Sequence, residues 1–161
     1  MTDRLKLRAL NLSDVDQLFR IYSDKEAMKY RRSKAMKSAE DARLFVENRI
    51  LRKDGVLVER KGVELTNKKL LIGSVMFRFD DKESDQCEIG YSIGREYWSR
   101  GYGSLIVKLI VDHMKTEKGV KKLIAWTMKE NVASTKILAK NGFKKIKQNQ
   151  HTESHLFERR N

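Results

Sequence analysis

The residues from Trp98 to Ser104 have the composition of an anion-binding turn. Gly101 and Gly103 remove the Cβ atoms that would keep an oxygen-rich ligand away from the backbone. A helix that starts directly after them would present unpaired N–H groups and the positive end of its dipole. Arg100 adds a full positive charge beside the turn. This combination suits a phosphate or a pyrophosphate.

Two better-known phosphate motifs do not describe this turn. Ile106 stands where a dinucleotide-binding fingerprint has its third glycine, and the Gly-Lys-Ser/Thr of a P-loop is missing. The alternative without a ligand is an ordinary glycine-containing turn at a helix start. The surrounding elements must therefore decide between the two.

A strand–helix–strand unit surrounds the turn. Residues 86–93 and 121–128 have the composition of strands, and residues 104–118 predict a well-buried helix with Gly119 as its C-cap. We expect the two strands to be parallel neighbours, with the turn at the carboxyl end of the first. Ligands of open sheets bind at that edge.

The remaining elements predict an α+β fold with a mixed sheet and flanking helices. A near capping box from Ser13 to Asp16 predicts the first helix, and Ile50 is expected to face inward on the second. Helices are expected at residues 14–23, 38–51 and 131–140, and strands at 4–10, 56–60, 69–79, 143–147 and 155–158.

Length and composition favour one domain over residues 1–161. There is no apolar run long enough for a membrane span and no signal-peptide pattern at the first residues, so we expect a cytoplasmic protein without a membrane partner. Cys87 is the one cysteine and is expected to be a small core residue rather than a nucleophile. The net charge of +13 favours polyanions, but its sign alone does not choose between nucleic acid, an acidic surface and a phosphate-rich cofactor.

Two motifs in order resemble the GNAT acetyltransferases, and specifically the Rim-type ribosomal-protein N-terminal acetyltransferases. The matching segments are Glu88-Ile89-Gly90-Tyr91, Tyr97-Trp98-Ser99-Arg100-Gly101-Tyr102-Gly103-Ser104, Asn131, Ser134, Leu138 and Lys140-Asn141-Gly142-Phe143. The resemblance implies a mixed, mostly antiparallel sheet whose central parallel pair is splayed for acyl-CoA. It also implies transfer of an acetyl group from acetyl-CoA to a primary amine, by direct attack on the thioester.

The same resemblance implies a binding site for acetyl-CoA, with no metal. The pyrophosphate would lie on the turn, the pantetheine arm would run along one strand, and Asn131 would bind that arm besides capping the last helix. Trp98 departs from the Gln or Arg of the family, and Leu105 from a Glu common in the Rim-type branch. The implied cofactor-binding residues are Tyr91, Ser92, Ile93, Ser99, Arg100, Gly101, Tyr102, Gly103, Ser104 and Asn131.

Two residues are candidates for the proton transfers. Glu88 is the candidate base, with a solvent-facing or ion-paired strand residue as the alternative. Leu138 stands where many GNAT enzymes have a tyrosine that protonates the thiolate, and the resemblance points instead to Ser134. A neutral serine is a poor acid, so a hydrogen bond to the sulfur is one alternative for Ser134 and an ordinary surface serine is the other. Asn131 and Ser134 are three apart and should share one face of a helix.

The acceptor is the least specified part. A protein or peptide N-terminal amine is the leading expectation, with a monomer or a homodimer. A polyamine or aminoglycoside would need carboxylates, which the acidic turn at residues 80–85 could supply, whereas Tyr30, Arg31 and Arg32 suit an acidic or phosphate-bearing acceptor. The alternatives outside this activity are a basic RNA- or ribosome-binding module and a protein that binds CoA without turnover.

Overall fold

The computed structural model describes residues 4–31, 33–117 and 119–161. The strands of this part of the chain are β1 (Leu5–Ala9), β2 (Ile50–Lys53), β3 (Val56–Leu65), β4 (Leu70–Asp80), β5 (Gln86–Ile93), β6 (Lys122–Met128), β7 (Lys144–Asn149) and β8 (Ser154–Arg160). Its α-helices are α1 (Val15–Tyr22), α2 (Ala39–Glu47), α3 (Tyr102–Met114) and α4 (Val132–Lys140).

One sheet holds all of these strands in the order β1-β3-β4-β5-β6-β8-β7, with β2 paired to β3. Its pairs are antiparallel apart from β5 and β6, which lie side by side in parallel with α3 as their crossover. The predicted α+β class, the mixed sheet and the parallel neighbours are confirmed.

The helices cover both faces of the sheet. Phe77 on β4 and Ile89 on β5 belong to the core under α3, where Ile106 and Ile110 are fully buried. Ser74 on β4 faces the other way, since its hydroxyl is hydrogen-bonded to that of Tyr22 on α1. Neighbouring strand residues therefore alternate between the α1–α2 face and the α3–α4 face.

The second helix is shorter than predicted, and its expected last turn is a strand. α2 ends at Glu47, and Ile50, expected to face inward, is 61% exposed on β2. β2 and β3 form a hairpin through Asp54 and Gly55, whose φ angles are +51° and +78°. An Asp-Gly pair strongly favours such a hairpin turn, and this signal outweighs the helical pattern around Ile50.

Further boundaries differ from the prediction, and the strand expected at residues 56–60 runs on to Leu65 as β3. α3 ends at Met114 with Lys115 as its C-cap, so Gly119, with a φ of +89°, serves a later turn; Lys118 lies outside the described residues. The capping box at the first helix joins Asn11 and Asp14 rather than Ser13 and Asp16. A short 3-10 turn precedes α1, which moves the cap two residues upstream.

Candidate functional site

The parallel strands β5 and β6 part after three residue pairs. The last pair joins Glu88 to Ile124, although β5 continues to Ile93 and β6 to Met128. Beyond that pair β5 stays bonded to β4, and β6 to β8. Within the described chain, the inner backbone edges of residues 89–93 and 125–128 therefore face a gap instead of a neighbouring strand, and an extended ligand can hydrogen-bond there as an added strand would.

The glycine turn lies at the open end of this gap. Gly101 is the N-cap of α3 with a φ of +81°, a left-handed conformation that glycine adopts without strain, and its Cβ position faces open space. The first intrahelical bond runs from Leu105 N to the Gly101 carbonyl, at 3.3 Å. The first-turn N–H groups of α3 thus point toward the turn, as a phosphate requires.

Gly103 has a packing role that the sequence did not predict. A Cβ at this position would lie 2.7 Å from Ile137 Cδ1 on α4, so the missing side chain lets α3 and α4 pack closely. The sequence pattern assigned this glycine to the phosphate cradle through its missing Cβ. In the structure, open space lies at the Cβ position of Gly101, while Gly103 presents its backbone N–H to the turn.

We expect Gly103→Val to lower the free energy of unfolding by about 1–3 kcal/mol, because the added side chain overpacks the contact with Ile137. Urea denaturation of Gly103→Val and of Gly103→Val with Ile137→Ala checks this. With Ile137→Ala as the reference, adding Gly103→Val should cost much less than it costs in the wild type. Unchanged stability with weakened acetyl-CoA binding would instead restore the cradle explanation.

The side chains around the turn hold it in place. Trp98 Nε1 donates to the Ile93 carbonyl at 3.1 Å, which ties the turn to the end of β5. Asn141 Nδ2 donates to Ser104 Oγ at 3.2 Å and so joins the end of α4 to the start of α3. The rings of Tyr97 and Tyr102 pack edge to face, with Tyr102 buried in the core. Tyr102 can therefore offer a ligand its backbone but not its ring.

Arg100 and Ser99 are exposed beside the turn. Ser99 has a φ of +60°, a strained conformation for a residue other than glycine. Among the described residues, Arg100 forms no salt bridge and no side-chain hydrogen bond. Its charge is thus available to a ligand on the turn.

Tyr91 and Ser134 meet beside the gap. Tyr91 lies on β5 where the strands have parted, and its hydroxyl is 2.8 Å from Ser134 Oγ on α4. Burial raises the pKa of Tyr91 to about 12, with the hydrogen bond to Ser134 acting in the opposite direction. The phenol therefore keeps its proton over the physiological range and can donate it.

Asn131 is the N-cap of α4, as predicted. Its Oδ1 accepts from Ser134 N at 3.2 Å, so Asn131 and Ser134 are held together at the start of the helix. Leu138, at the place of the missing tyrosine, is buried in the core. The phenol hydroxyl near the gap is therefore supplied by Tyr91 on β5, beside the Ser134 hydroxyl of α4.

Glu88 lies at the point where the strands part. Its side chain is 20% exposed on the α1–α2 face, and its Oε2 is 3.6 Å from Arg78 Nη1 on β4. Tyr91, three residues on, points to the opposite face. Since the gap runs through the sheet, a group held in it can be approached by Glu88 from one face and by Tyr91 from the other.

Sequence reasoning missed two contributors to this geometry. The side chain of Tyr91 had no assigned role, since only its main chain was considered. Gly73 on β4 is needed because the Ser92 carbonyl oxygen lies 2.1 Å from where its Cβ would be. A close strand approach needs a glycine, but only the pairing of β4 with β5 reveals which one.

Other candidate chemistry is not assembled in the described residues. No three His, Cys, Asp or Glu side chains come together there as a metal site would need. Burial raises the pKa of the Cys87 thiol to about 12, and the residue is fully buried, as predicted. In residues 4–31, 33–117 and 119–161 no helix is long and apolar enough to cross a membrane.

Comparison with known proteins identifies the family. Residues 4–144 match the model of the acetyltransferase (GNAT) domain. The chain is 31% identical over 147 residues to a Bacillus subtilis (strain 168) protein named uncharacterized N-acetyltransferase YoaA. The aligned region covers 89% of this chain and 81% of that protein.

Solved structures share the fold along nearly the whole chain. RimL, a ribosomal L7/L12 alpha-N-protein acetyltransferase in complex with coenzyme A, superposes with a TM-score of 0.83 at 18% identity, covering 99% of this chain and 95% of its own. The Vibrio cholerae spermidine N-acetyltransferase, in complex with CoA and spermine, superposes with a TM-score of 0.79 at 17% identity. The superposition covers 97% of this chain and 95% of the other. These likenesses show the fold and leave the acceptor open.

Proposed function

Because this chain belongs to the GNAT family of acetyltransferases and is an N-acetyltransferase that uses acetyl-CoA, we propose that its acceptor is the N-terminal amine of a protein or peptide. The proposal includes the finer assignment to the Rim-type branch, which rests on the motif from Tyr97 to Ser104 and on Ser134. It also assigns the acetyl-CoA site to the gap between β5 and β6.

The assignment of the acetyl-CoA site rests on the separation of β5 and β6 beside the turn. Acetyl-CoA needs a cradle for its pyrophosphate and an extended track for its pantetheine arm. The first-turn N–H groups of α3, with Arg100, supply the cradle. The edge of Tyr91, Ser92 and Ile93 that no neighbouring strand pairs supplies the track, although the Ile93 carbonyl already accepts from Trp98 Nε1. Asn131 at the start of α4 lies on the far side of the same gap.

The proposed reaction is one acyl transfer with two proton movements. The acceptor nitrogen forms a bond to the thioester carbonyl carbon, and the carbon–sulfur bond breaks. Glu88, directly or through water, takes the proton that the amine loses. Tyr91 gives a proton to the departing thiolate and regains one from solvent through Ser134, while Glu88 releases its proton to solvent, so the products are an acetylated amine and a free thiol.

The open gap suits an extended acceptor better than a polycation. A polyamine or aminoglycoside would need a group of carboxylates, and the acidic turn lies before β5, at the closed end of the gap. Two of its carboxylates are already paired, since Asp81 is 3.2 Å from Arg52 and Asp80 is 3.6 Å from Arg78. A peptide N-terminus requires no such pocket.

Arg100→Glu tests the cofactor site. Because Arg100 is exposed without an ion pair among the described residues, its reversal should leave the fold intact and weaken acetyl-CoA binding about tenfold. Calorimetric titration with acetyl-CoA measures this, with Arg52→Glu near the closed end of the gap as the matched control. Equal losses in both variants would show a general effect of charge and remove Arg100 from the site.

A further inference from the structure

Two arginines on the α1–α2 face lack a carboxylate partner. Arg31 follows α1, Arg60 lies on β3, and among the described residues neither forms a salt bridge. Within the described part of the chain, Arg31 Nη1 is buried without any hydrogen-bond partner, and the side chain of Arg60 forms one long hydrogen bond, 3.4 Å from Nη1 to the Asn48 carbonyl oxygen. Both side chains are partly buried, and a buried N–H group without a partner, such as that of Arg31 Nη1, carries a free-energy cost that a bound anion can remove.

Aromatic rings hold the two guanidinium groups in one region. Arg31 Cζ lies 4.9 Å from the centroid of the Tyr22 ring, and Arg60 Cζ lies 5.2 Å from that of Phe45. The two rings are 5.5 Å apart. Stacking uses the flat face of a guanidinium and leaves its N–H edge for bidentate binding of a carboxylate.

The electrostatics agree with this arrangement. Burial, together with the neighbouring charge of Arg31, lowers the pKa of Arg60. Like charges held close together without a counter-ion favour an anionic ligand.

Both arginines flank the open segment of β5. Arg60 is paired across the sheet with Met76, and Met76 with Gly90, so Arg60 Cα is about 10 Å from the strand that borders the gap. Tyr22, under Arg31, is hydrogen-bonded to Ser74, the cross-strand partner of Ser92. Gly90 has no side chain, and the flexible side chain of Met76, whose Cε lies 3.4 Å from where a Gly90 Cβ would be, covers the space between Arg60 and the gap.

The segment that carries Arg31 is itself strongly basic. Between Lys25 and Lys37 it has six basic residues and one acidic residue. It borders a cavity of about 360 Å³ whose charged lining residues, within the described chain, are Lys25, Lys34 and Lys37. Arg32, expected to act with Arg31, lies outside the described residues.

We propose that Arg31 and Arg60 together bind a carboxylate of the acceptor, so that the enzyme selects peptides with an aspartate or glutamate close behind the N-terminal amine. This inference rests on the proposed peptide acceptor and names its class. It also explains why a polycation is a poor acceptor, since two unpaired guanidinium groups repel it on the face from which Glu88 approaches the gap.

Matched peptides test the selection. Four hexapeptides that differ only at the second and third residues, with Asp, Glu, Asn or Lys at both, are assayed by thiol release with wild type, Arg31→Gln, Arg60→Gln, the double variant and Arg52→Gln. Wild type and Arg52→Gln should prefer the acidic peptides by about 10- to 30-fold in kcat/KM. The double variant should lose this preference, because its kcat/KM should fall far more on the acidic peptides than on the Asn peptide, while its affinity for acetyl-CoA stays unchanged.

Each other outcome separates this inference from the proposed function. Equal rates on acidic and Asn peptides, or a preference that survives in the double variant, would overturn the carboxylate site but keep the peptide acceptor. If no peptide reacts, small amines are assayed in pairs with and without a carboxylate. An arginine-dependent preference for the carboxylate-bearing amine would keep the anion site and reject the peptide acceptor. Turnover of spermidine or an aminoglycoside alone would reject both.

Discussion

Replacing Glu88 with glutamine should lower kcat about 100-fold or more and change the affinity for acetyl-CoA by less than about twofold. The amide keeps the size of the side chain but cannot take a proton from the attacking amine. Arg78 retains Asp80 as a partner at 3.6 Å, so the local structure should persist. Steady-state kinetics and calorimetry on the same preparation measure both quantities.

The pH dependence distinguishes a base from a structural residue. The deficit of Glu88→Gln should shrink as the pH rises past the pKa of the acceptor amine, about 8 for an α-amino group, because solvent then removes the proton. Glu158→Gln is the matched control, since Glu158 is ion-paired, 19% exposed and in register with Ile124, the partner of Glu88. A similar loss in both variants, constant with pH, would exclude Glu88 as the base.

Tyr91→Phe should lower kcat about 100-fold and leave acetyl-CoA binding nearly unchanged. The substitution removes one oxygen and keeps the packing of the ring. Ser134→Ala should have a smaller effect, about tenfold, because it removes the partner of the phenol but not its proton. A loss in Ser134→Ala as large as in Tyr91→Phe would give the direct role to Ser134, as the sequence alone suggested.

A second readout follows from the pKa of Tyr91. An ordinary tyrosine ionises near pH 10, whereas burial raises the pKa of Tyr91 to about 12. Because the group acts in its protonated form, kcat should not fall on the alkaline side until the pH is well above 10. A descending limb near pH 9 that is absent in Tyr91→Phe would contradict the assignment.

The strand–helix–strand unit around the turn was predictable because its signals are local. The apolar run of β5, the glycines of the turn and the apolar faces of α3 each act within a few residues, and they agree with one another. The prediction was wrong where two short-range signals compete for the same segment. The Asp54-Gly55 turn makes a hairpin of a segment whose periodicity, ending at Ile50, also fits a helix.

The side chains of the site were harder to predict because their meeting depends on pairing across the sheet. Nothing in the sequence says that Tyr91 on β5 reaches Ser134 on α4, or that Arg60 lies two strands from Gly90. The turn was recognisable from its glycines, yet the reason for Gly103 required the position of Ile137. Residue types identify candidates, and register decides which of them share a space.

The most direct test of the acetyl-CoA site is a crystal structure of the protein with coenzyme A. We expect the pyrophosphate to lie at the backbone N–H groups of residues 101–104, with Arg100 beside it. The pantetheine arm should lie along Tyr91–Ile93 in the gap, with its sulfur near the hydroxyls of Tyr91 and Ser134. Coenzyme A bound elsewhere, with the gap between β5 and β6 closed by side chains, would contradict the assigned site and the roles given to Glu88 and Tyr91.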